Sequence, residues 1–294
     1  MGDVLAGFHA AWEFESDSVL IRYERGIRTP KLFQALGERR VPLEAIEGVT
    51  LTPGKRGTVV LRVEPRAGAD PLIEAAAGQL KESGDPYRLV LPAERETLAE
   101  YYADELRALL TESGKTERFL VAPPEAPLHF KAYDGKASFD GRAVSFRWSW
   151  TGASSAKWKA GDQNFPVADL GGVEWRSPEM FEGYLRLLPR DADTPVGVAA
   201  AAAPPVPQAD QDPAAVVFGL GYGPVHESLP FAAAVLAAVR ERGASTPVPV
   251  PVPAPRRDPA DIAERIRHLG ELHQQGLVTD EEFSSKKAEL LAEL

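Results

Sequence analysis

Apolar and polar positions alternate around Trp12-Glu13-Phe14 and again over residues 19–23, on either side of Ser16-Asp17. A period of two puts alternate side chains on one face of a strand, and the polar pair between the runs marks a hairpin turn. Residues 46–51 and 58–63 flank a second turn signal, Pro53-Gly54-Lys55-Arg56-Gly57, and residues 87–91 supply a further strand. From residue 97 the period becomes helical. Leu98, Tyr101, Tyr102, Leu106, Leu109 and Leu110 make one apolar face, and Thr97 with Glu100 makes a capping box.

The pattern then recurs. Val19-Leu20-Ile21-Arg22-Tyr23 matches Val144-Ser145-Phe146-Arg147-Trp148 about 125 residues later, and the stretch 41–49 matches 165–173. Residues 57–61 fall on 183–187, and Asp85-Pro86 meets Asp212-Pro213, each before an apolar run. Ordered matches at near-constant spacing define a duplication. The second copy is expected to end on a helix with Ser228 as N-cap and Phe231, Val235, Leu236 and Val239 inward. Residues 71–80 read as a short extra helix in copy one. The equivalent stretch, 194–211, is an Ala/Pro run too poor in apolar bulk to fold and is expected to be a mobile loop. Residues 111–127 read as a linker between the copies.

Prolines at 247, 249, 251, 253 and 255 predict a polyproline II spacer over residues 243–257, roughly 45 Å when extended. Beyond it, Asp258 is placed as an N-cap with Pro259 at the first helical position, and Ile262, Ile266, Leu269 and Leu272 step along one face. Gly276 ends that helix, and Thr279 with Glu282 opens another carrying Phe283, Leu290, Leu291 and Leu294. A hairpin this small seldom buries enough on its own, so its apolar stripe is expected to pack against another copy, its own barrels or a partner. Ile262, Ile266, Leu269, Leu272, Phe283, Leu290 and Leu291 are the candidate oligomerisation residues.

Strands closed by one C-terminal amphipathic helix are the layout of a pleckstrin-homology-like barrel, and the expected fold is mainly β with α. It comprises two such repeats, each closed by a helix, plus a small helical hairpin. On the stretches 42–49, 53–57, 68–72 and 130–135, residues 1–240 resemble the tandem actinobacterial domain family of unknown function DUF4429. That resemblance implies a fold and no activity. The last ~35 residues, through Gly276-Leu277-Val278-Thr279-Asp280-Glu281-Glu282-Phe283, resemble the SHOCT domain, which implies oligomerisation or help in partner binding. The expected domains are 1–111, 128–242 with its loop at 194–211, the linker 243–257 and the hairpin 258–294.

Composition narrows the chemistry. The chain contains no cysteine, which excludes thiolate catalysis and zinc–thiolate or iron–sulfur sites. No apolar run reaches the roughly 20 residues a membrane helix needs, and the first residues lack a signal-peptide pattern, so a cytoplasmic location is expected. A net charge of −10 disfavours broad nucleic-acid binding. The histidines His9, His129, His226, His268 and His273 form no metal spacing, and no catalytic triad or acid pair stands out. A non-enzyme with no cofactor and no metal is therefore expected. Gly219-Leu220-Gly221-Tyr222-Gly223 has the look of a nucleotide loop, but copy one has no glycines there and no βαβ unit surrounds it.

Two candidate surfaces remain. Trp148 and Trp175 align with apolar positions of copy one and are expected in the core, which leaves Trp150 and Trp158 as anchors for a protein or peptide. Lys55 and Arg56 in their turn, with Arg25, Arg28 and Lys31, are candidate anion-binding residues; Arg142, Arg147, Lys157 and Lys159 are the basic set of copy two. The reading is a cytoplasmic scaffold whose tandem modules bind protein or peptide, multimerised through the hairpin. A module reading anionic headgroups at a membrane surface and a nucleic-acid-associated regulator are the alternatives.

Overall fold

The first hairpin forms where the alternation places it, in a computed structural model that describes residues 3–190 and 207–244. Strands β2 (Ala10–Phe14) and β3 (Ser18–Tyr23) pair antiparallel, with Trp12 opposite Ile21 and both side chains buried. Strand β1 (Asp3–Ala6) and strand β4 (Glu38–Pro42) extend the hairpin to a four-stranded meander, β1-β2-β3-β4. The alternation does not reveal β4, because its sequence Glu-Arg-Arg-Val-Pro puts Arg39 at an inward position. There Arg39 Nη2 donates to the equally buried Asp70 at 2.7 Å. A helix of six residues, α1 (Lys31–Leu36), joins β3 to β4.

A single 3₁₀ turn at Leu43–Ala45 leads into a three-stranded meander of β5 (Ile46–Pro53), β6 (Thr58–Pro65) and β7 (Arg88–Pro92). Helix α2 (Pro71–Ala76) lies between β6 and β7, shorter than the stretch 71–80 because Ala77 turns left-handed at φ 46°. Helix α3 (Glu96–Leu109) closes the copy, packed on β5 and β6.

The second copy repeats the plan. Its four-stranded sheet holds β8 (Leu128–Lys131), β9 (Gly135–Phe139), β10 (Ala143–Trp148) and β11 (Gln163–Pro166), with α4 (Ser155–Ala160) between the last two. Its three-stranded sheet holds β12 (Leu170–Arg176), β13 (Tyr184–Pro189) and β14 (Ala215–Val217), and α5 (Val225–Ala244) follows. The expected loop at 194–211 lies largely outside the described residues.

Local details repeat with the topology. Arg66 N donates to Ala45 O at 2.8 Å, as Arg190 N does to Asp169 O at 2.8 Å. Arg62 Nε meets Asp85 Oδ2 at 2.9 Å, as Arg186 Nε meets Asp212 Oδ2 at 2.9 Å. One detail corrects the sequence match. Leu51 pairs with Leu61 and Trp175 with Leu185, so Leu61 corresponds to Leu185, and aligning 57–61 with 183–187 is two residues out of register. An alternating strand looks the same after a slip of two, so its apolar pattern alone cannot set the register.

Four antiparallel sheets result, and among the described residues no closed barrel forms, contrary to the expected one. In each copy the two sheets meet along one seam. The bridge Phe8–Val90 joins the β1–β2 turn to β7, and Tyr133 N donates to Val217 O at 2.9 Å in copy two. Elsewhere the closing helix does the covering. The expected face of α3 is also rotated: Ala99, Tyr102, Ala103 and Leu106 point inward, while Leu98, Tyr101 and Leu109 are exposed. Its N-cap is Arg95, with no side-chain cap bond, because a 3₁₀ turn at Ala93–Arg95 leads directly into the helix and displaces the Thr97–Glu100 capping box. Ser228 is likewise no cap. It lies inside α5, where its buried hydroxyl sits 2.9 Å from Gly223 O and accepts from Trp175 Nε1 at 3.0 Å.

The copies are not beads on a string. Helices α1 and α2 of the first pack against α5 of the second, and Leu32, Leu72, Ala75 and Ala76 belong to the core built around Trp175, Phe231 and Val235. Gln79 fixes the junction, donating through Nε2 to Trp175 O at 3.0 Å and accepting from Ser177 N at 2.9 Å. The stretch 111–127 is held on copy one, with Thr116 N donating to Ala67 O and Val121 N to Ala69 O, at 2.8 and 3.0 Å. Residues Met1–Ser245 accordingly form one compact unit.

This packing predicts that Leu72→Ala, a change in copy one, costs about 2–5 kcal/mol. Urea unfolding followed by tryptophan emission should show one transition moved to lower urea, because four of the five tryptophans sit in copy two. Two separate transitions, with only the minor one moved, would contradict the shared core.

Burial raises the pKa of Tyr23 and Tyr87 above the ordinary tyrosine value. The folded chain thus keeps two phenol protons that the unfolded chain releases above about pH 10. Their contribution to stability is intact below that pH and is lost as the pH rises through it. An absorbance titration should find two of the seven tyrosines ionising only as the protein unfolds.

Candidate partner-binding face

The strongest local departure between the copies surrounds α4. Helices α1 and α4 are both six residues long and both end at a glycine with positive φ, Gly37 at 66° and Gly161 at 71°. Their third residues, Phe33 and Lys157, hold equivalent positions. In copy one Phe33 stacks on Tyr23 with ring centroids 4.9 Å apart. In copy two the Lys157 ammonium takes that place, 4.9 Å above the ring of Trp148. A lysine expected at the surface is thereby completely buried.

An ammonium in that position requires an anion. Asp134, in the β8–β9 turn, forms the ion pair with Lys157, whose Nζ also donates to Ala215 O at 2.8 Å. Val217 N donates to Asp134 Oδ1 at 3.0 Å, so the pair ties α4 and the β8–β9 turn to strand β14. Burial raises the pKa of the Asp134 carboxyl and lowers that of the Lys157 ammonium, each against the opposing pull of the partner's charge. Desolvation opposes the attraction between the two charges, and the pair serves position more than stability.

That anchor sets the next residue. With Lys157 turned inward, Trp158 points outward and meets Trp150 edge to face, ring centroids 5.3 Å apart and planes at 70°. Trp150 is 84% exposed and Trp158 partly so. Neither indole N–H has an acceptor among the described residues, whereas Trp148 donates to Gly161 O at 2.7 Å. Trp175 is core, as expected, while Trp148 is half-buried. Of the sequence candidates, Trp150 and Trp158 are therefore brought together, exposed, with donors free.

The basic candidates are not brought together. Lys55 and Arg56 sit in the β5–β6 turn, beside Pro92 at the end of β7, since Thr58 pairs with Pro92. Arg25, Arg28 and Lys31 follow Tyr23, whose hydroxyl donates to Pro86 O before the other end of β7. The two sets stand at opposite ends of that strand. The residues proposed for oligomerisation, Ile262, Ile266, Leu269, Leu272, Phe283, Leu290 and Leu291, lie outside the described residues.

A groove of about 640 Å³ runs between the copies. Sequence reasoning missed it because its walls come from distant segments, 30–32, 80–84, 178–183 and 218–226. Residues 219–222 form one of those walls, and three amides of the Gly219–Gly223 stretch bond to backbone carbonyls. Gly219 and Tyr222 bond each other in a tight turn, and Gly223 N donates to Lys131 O at 2.7 Å. Gly223 is required at φ 62° because a Cβ there would lie 2.2 Å from the Phe218 ring. Tyr222 packs edge to face on Tyr133, 6.2 Å away, in the turn that carries Asp134. Among the described residues no group of His, Asp and Glu is placed to hold a metal ion, and no helix is long and apolar enough to cross a membrane.

Two family models match the chain. The family model described as "Domain of unknown function (DUF4429)" matches twice, over residues 12–107 and 137–236. A second, "Short C-terminal domain" (SHOCT), matches residues 264–291. No curated protein matches the chain.

Removing the cation should expose the cost of its site. Lys157→Ala leaves Asp134 buried without its counter-charge and is expected to cost about 3–5 kcal/mol in urea denaturation. A change below about 1 kcal/mol would mean that the pair does not anchor α4.

Proposed function

This chain belongs to the DUF4429 family and carries a SHOCT domain, and we propose that it is a non-enzymatic interaction protein that binds a protein or peptide on copy two. One observation carries the reading. Two exposed tryptophans, held edge to face beside a buried ion pair, present indole donors with no acceptor among the described residues. Large amphipathic rings on a rigid support are what recurs at the centre of protein interfaces. The sequence of a four-stranded meander, a three-stranded meander and a closing helix supports a pleckstrin-homology-like ancestry for each repeat. The SHOCT segment is proposed to multimerise the chain and so raise avidity for a weakly bound partner.

Two experiments separate these parts. Peptide-display selection on the full chain should enrich sequences whose binding is lost in the double variant Trp150→Ala/Trp158→Ala, while its urea midpoint stays near that of the parent. Peptides that bind both proteins equally would remove the tryptophans from the site. Light scattering should give a multimer for the full chain and a smaller mass for Leu269→Glu/Leu291→Glu; equal masses would remove the assembly role.

A further inference from the structure

We propose that the end of the molecule where the inter-copy groove opens docks on an anionic membrane surface, by inserting three apolar turn tips. This goes beyond the partner-binding reading and uses different residues.

Three turns meet at that end, and each is fixed by its own bonds. In the first, Thr29 N donates to Gly26 O at 3.0 Å, and the Gln34 amide donates to Gly26 O and Thr29 O at 2.9 Å each. In the second, Met180 N donates to Ser177 O at 3.0 Å and Glu179 N to Ser177 Oγ at 3.2 Å. In the third, Tyr222 N donates to Gly219 O at 2.9 Å. Surface turns of this kind ordinarily carry Gly, Asn, Asp or Ser at the tip. Here the tips carry Ile27, Phe181 with Met180, and Leu220; Ile27 and Leu220 are fully exposed and Phe181 is 83% exposed. Residues adjoining or within all three turns, Pro30 and Lys31, Pro178 to Gly183, and Phe218 to Tyr222, line the one groove, which places the tips on the same end.

The shape and the charges select the occupant. Separate protrusions on stiff turns would require a folded protein to supply a matching pocket for each. The interfacial zone of a bilayer accepts them without any such match. Arg25, Arg28 and Lys31 flank Ile27 without an ion-pair partner among the described residues, where other arginines, Arg22, Arg40, Arg62 and Arg107 among them, are paired with acids. Unpaired cations beside an inserting apolar residue are placed to meet anionic headgroups, and each adds an attraction that salt screens. The nearby acids Glu179 and Glu182 limit that attraction, and Glu179 is itself held by Lys81 at 3.1 Å. Apolar insertion must therefore supply the rest.

The test is co-sedimentation of the full chain with vesicles of phosphatidylcholine alone and of phosphatidylcholine with phosphatidylglycerol. Binding is expected to the mixed vesicles, weaker at high salt. It should be lost in Ile27→Ser/Phe181→Ser/Leu220→Ser and weakened about tenfold or more in Arg25→Gln/Arg28→Gln. Exposed positions such as these can be changed without unfolding the chain, and circular dichroism checks that. A full chain that stays in the supernatant with both vesicle types overturns the proposal. Binding that the triple variant keeps overturns it equally. The Trp150→Ala/Trp158→Ala variant should still sediment, so the outcome does not depend on the peptide-binding reading.

Discussion

Helix α5 is covered on two sides, by its own sheet strand β12 and by helices α1 and α2 of the other copy, and the tandem architecture rests on that double burial. Tyr102 stacks on Phe14 and Phe231 packs on Phe139, which sets the two closing helices in the same register. On that register Glu100, Asp104 and Arg107 of α3 stand where α5 carries Leu229, Ala233 and Leu236. A helix apolar all round must be buried all round, and one with a single apolar stripe faces water on the other side. The difference between two homologous helices thus records which one became the joint.

The joint depends in turn on a charge buried in the first copy. Asp70 caps α2 by accepting from Leu72 N at 2.8 Å and holds Arg39 at 2.7 Å from strand β4. Burial of that pair adds little net stability once desolvation is counted. What it does is aim α2, and with it Leu72, Ala75 and Ala76, at α5. Copy two uses the same device elsewhere: Asp134 and Lys157 lock α4 rather than a joint. In each copy a buried ion pair thus fixes a short helix, α2 in the copy that docks and α4 in the copy that displays.

These pairs also account for what was legible in the sequence and what was not. Strands β2, β3, β5 and β6 were readable as apolar runs between turn signals, although Leu20 and Val60 are buried beside Ile21 and Leu61 and break the strict alternation. Strand β4 was not, since Arg39 occupies an inward position that only Asp70, thirty-one residues away, makes tolerable. Lys157 was read as a surface charge for the same reason. The phase of α3 was misjudged because Leu98, Tyr101 and Leu109 suggested an inward face, whereas the small Ala99 and Ala103 allow the close approach to β5. Of the candidate site, the separation of Trp150 and Trp158 from the core tryptophans followed from the repeat alone, because neither has an apolar counterpart in copy one. Their mutual contact did not, because it depends on where an ion pair turns α4. The groove was invisible for a simpler reason: no single stretch of sequence contains it.

Rigid support links the two surfaces of the molecule. A tryptophan on a loose loop loses rotamer and backbone freedom when it binds, and that loss is subtracted from whatever contact it makes. Trp158 stands on a helix capped by Ser154 and anchored from below, so most of that ordering is complete before a partner arrives. The turn tips obey the same logic, with Ile27 held by Gln34 and Leu220 by the Gly219–Tyr222 pair. Both surfaces belong to segments in which polar residues would have been easier to keep soluble, and in both the backbone is bonded to itself. Apolar side chains kept exposed on a fixed frame are costly to an isolated molecule and useful to one that meets another surface.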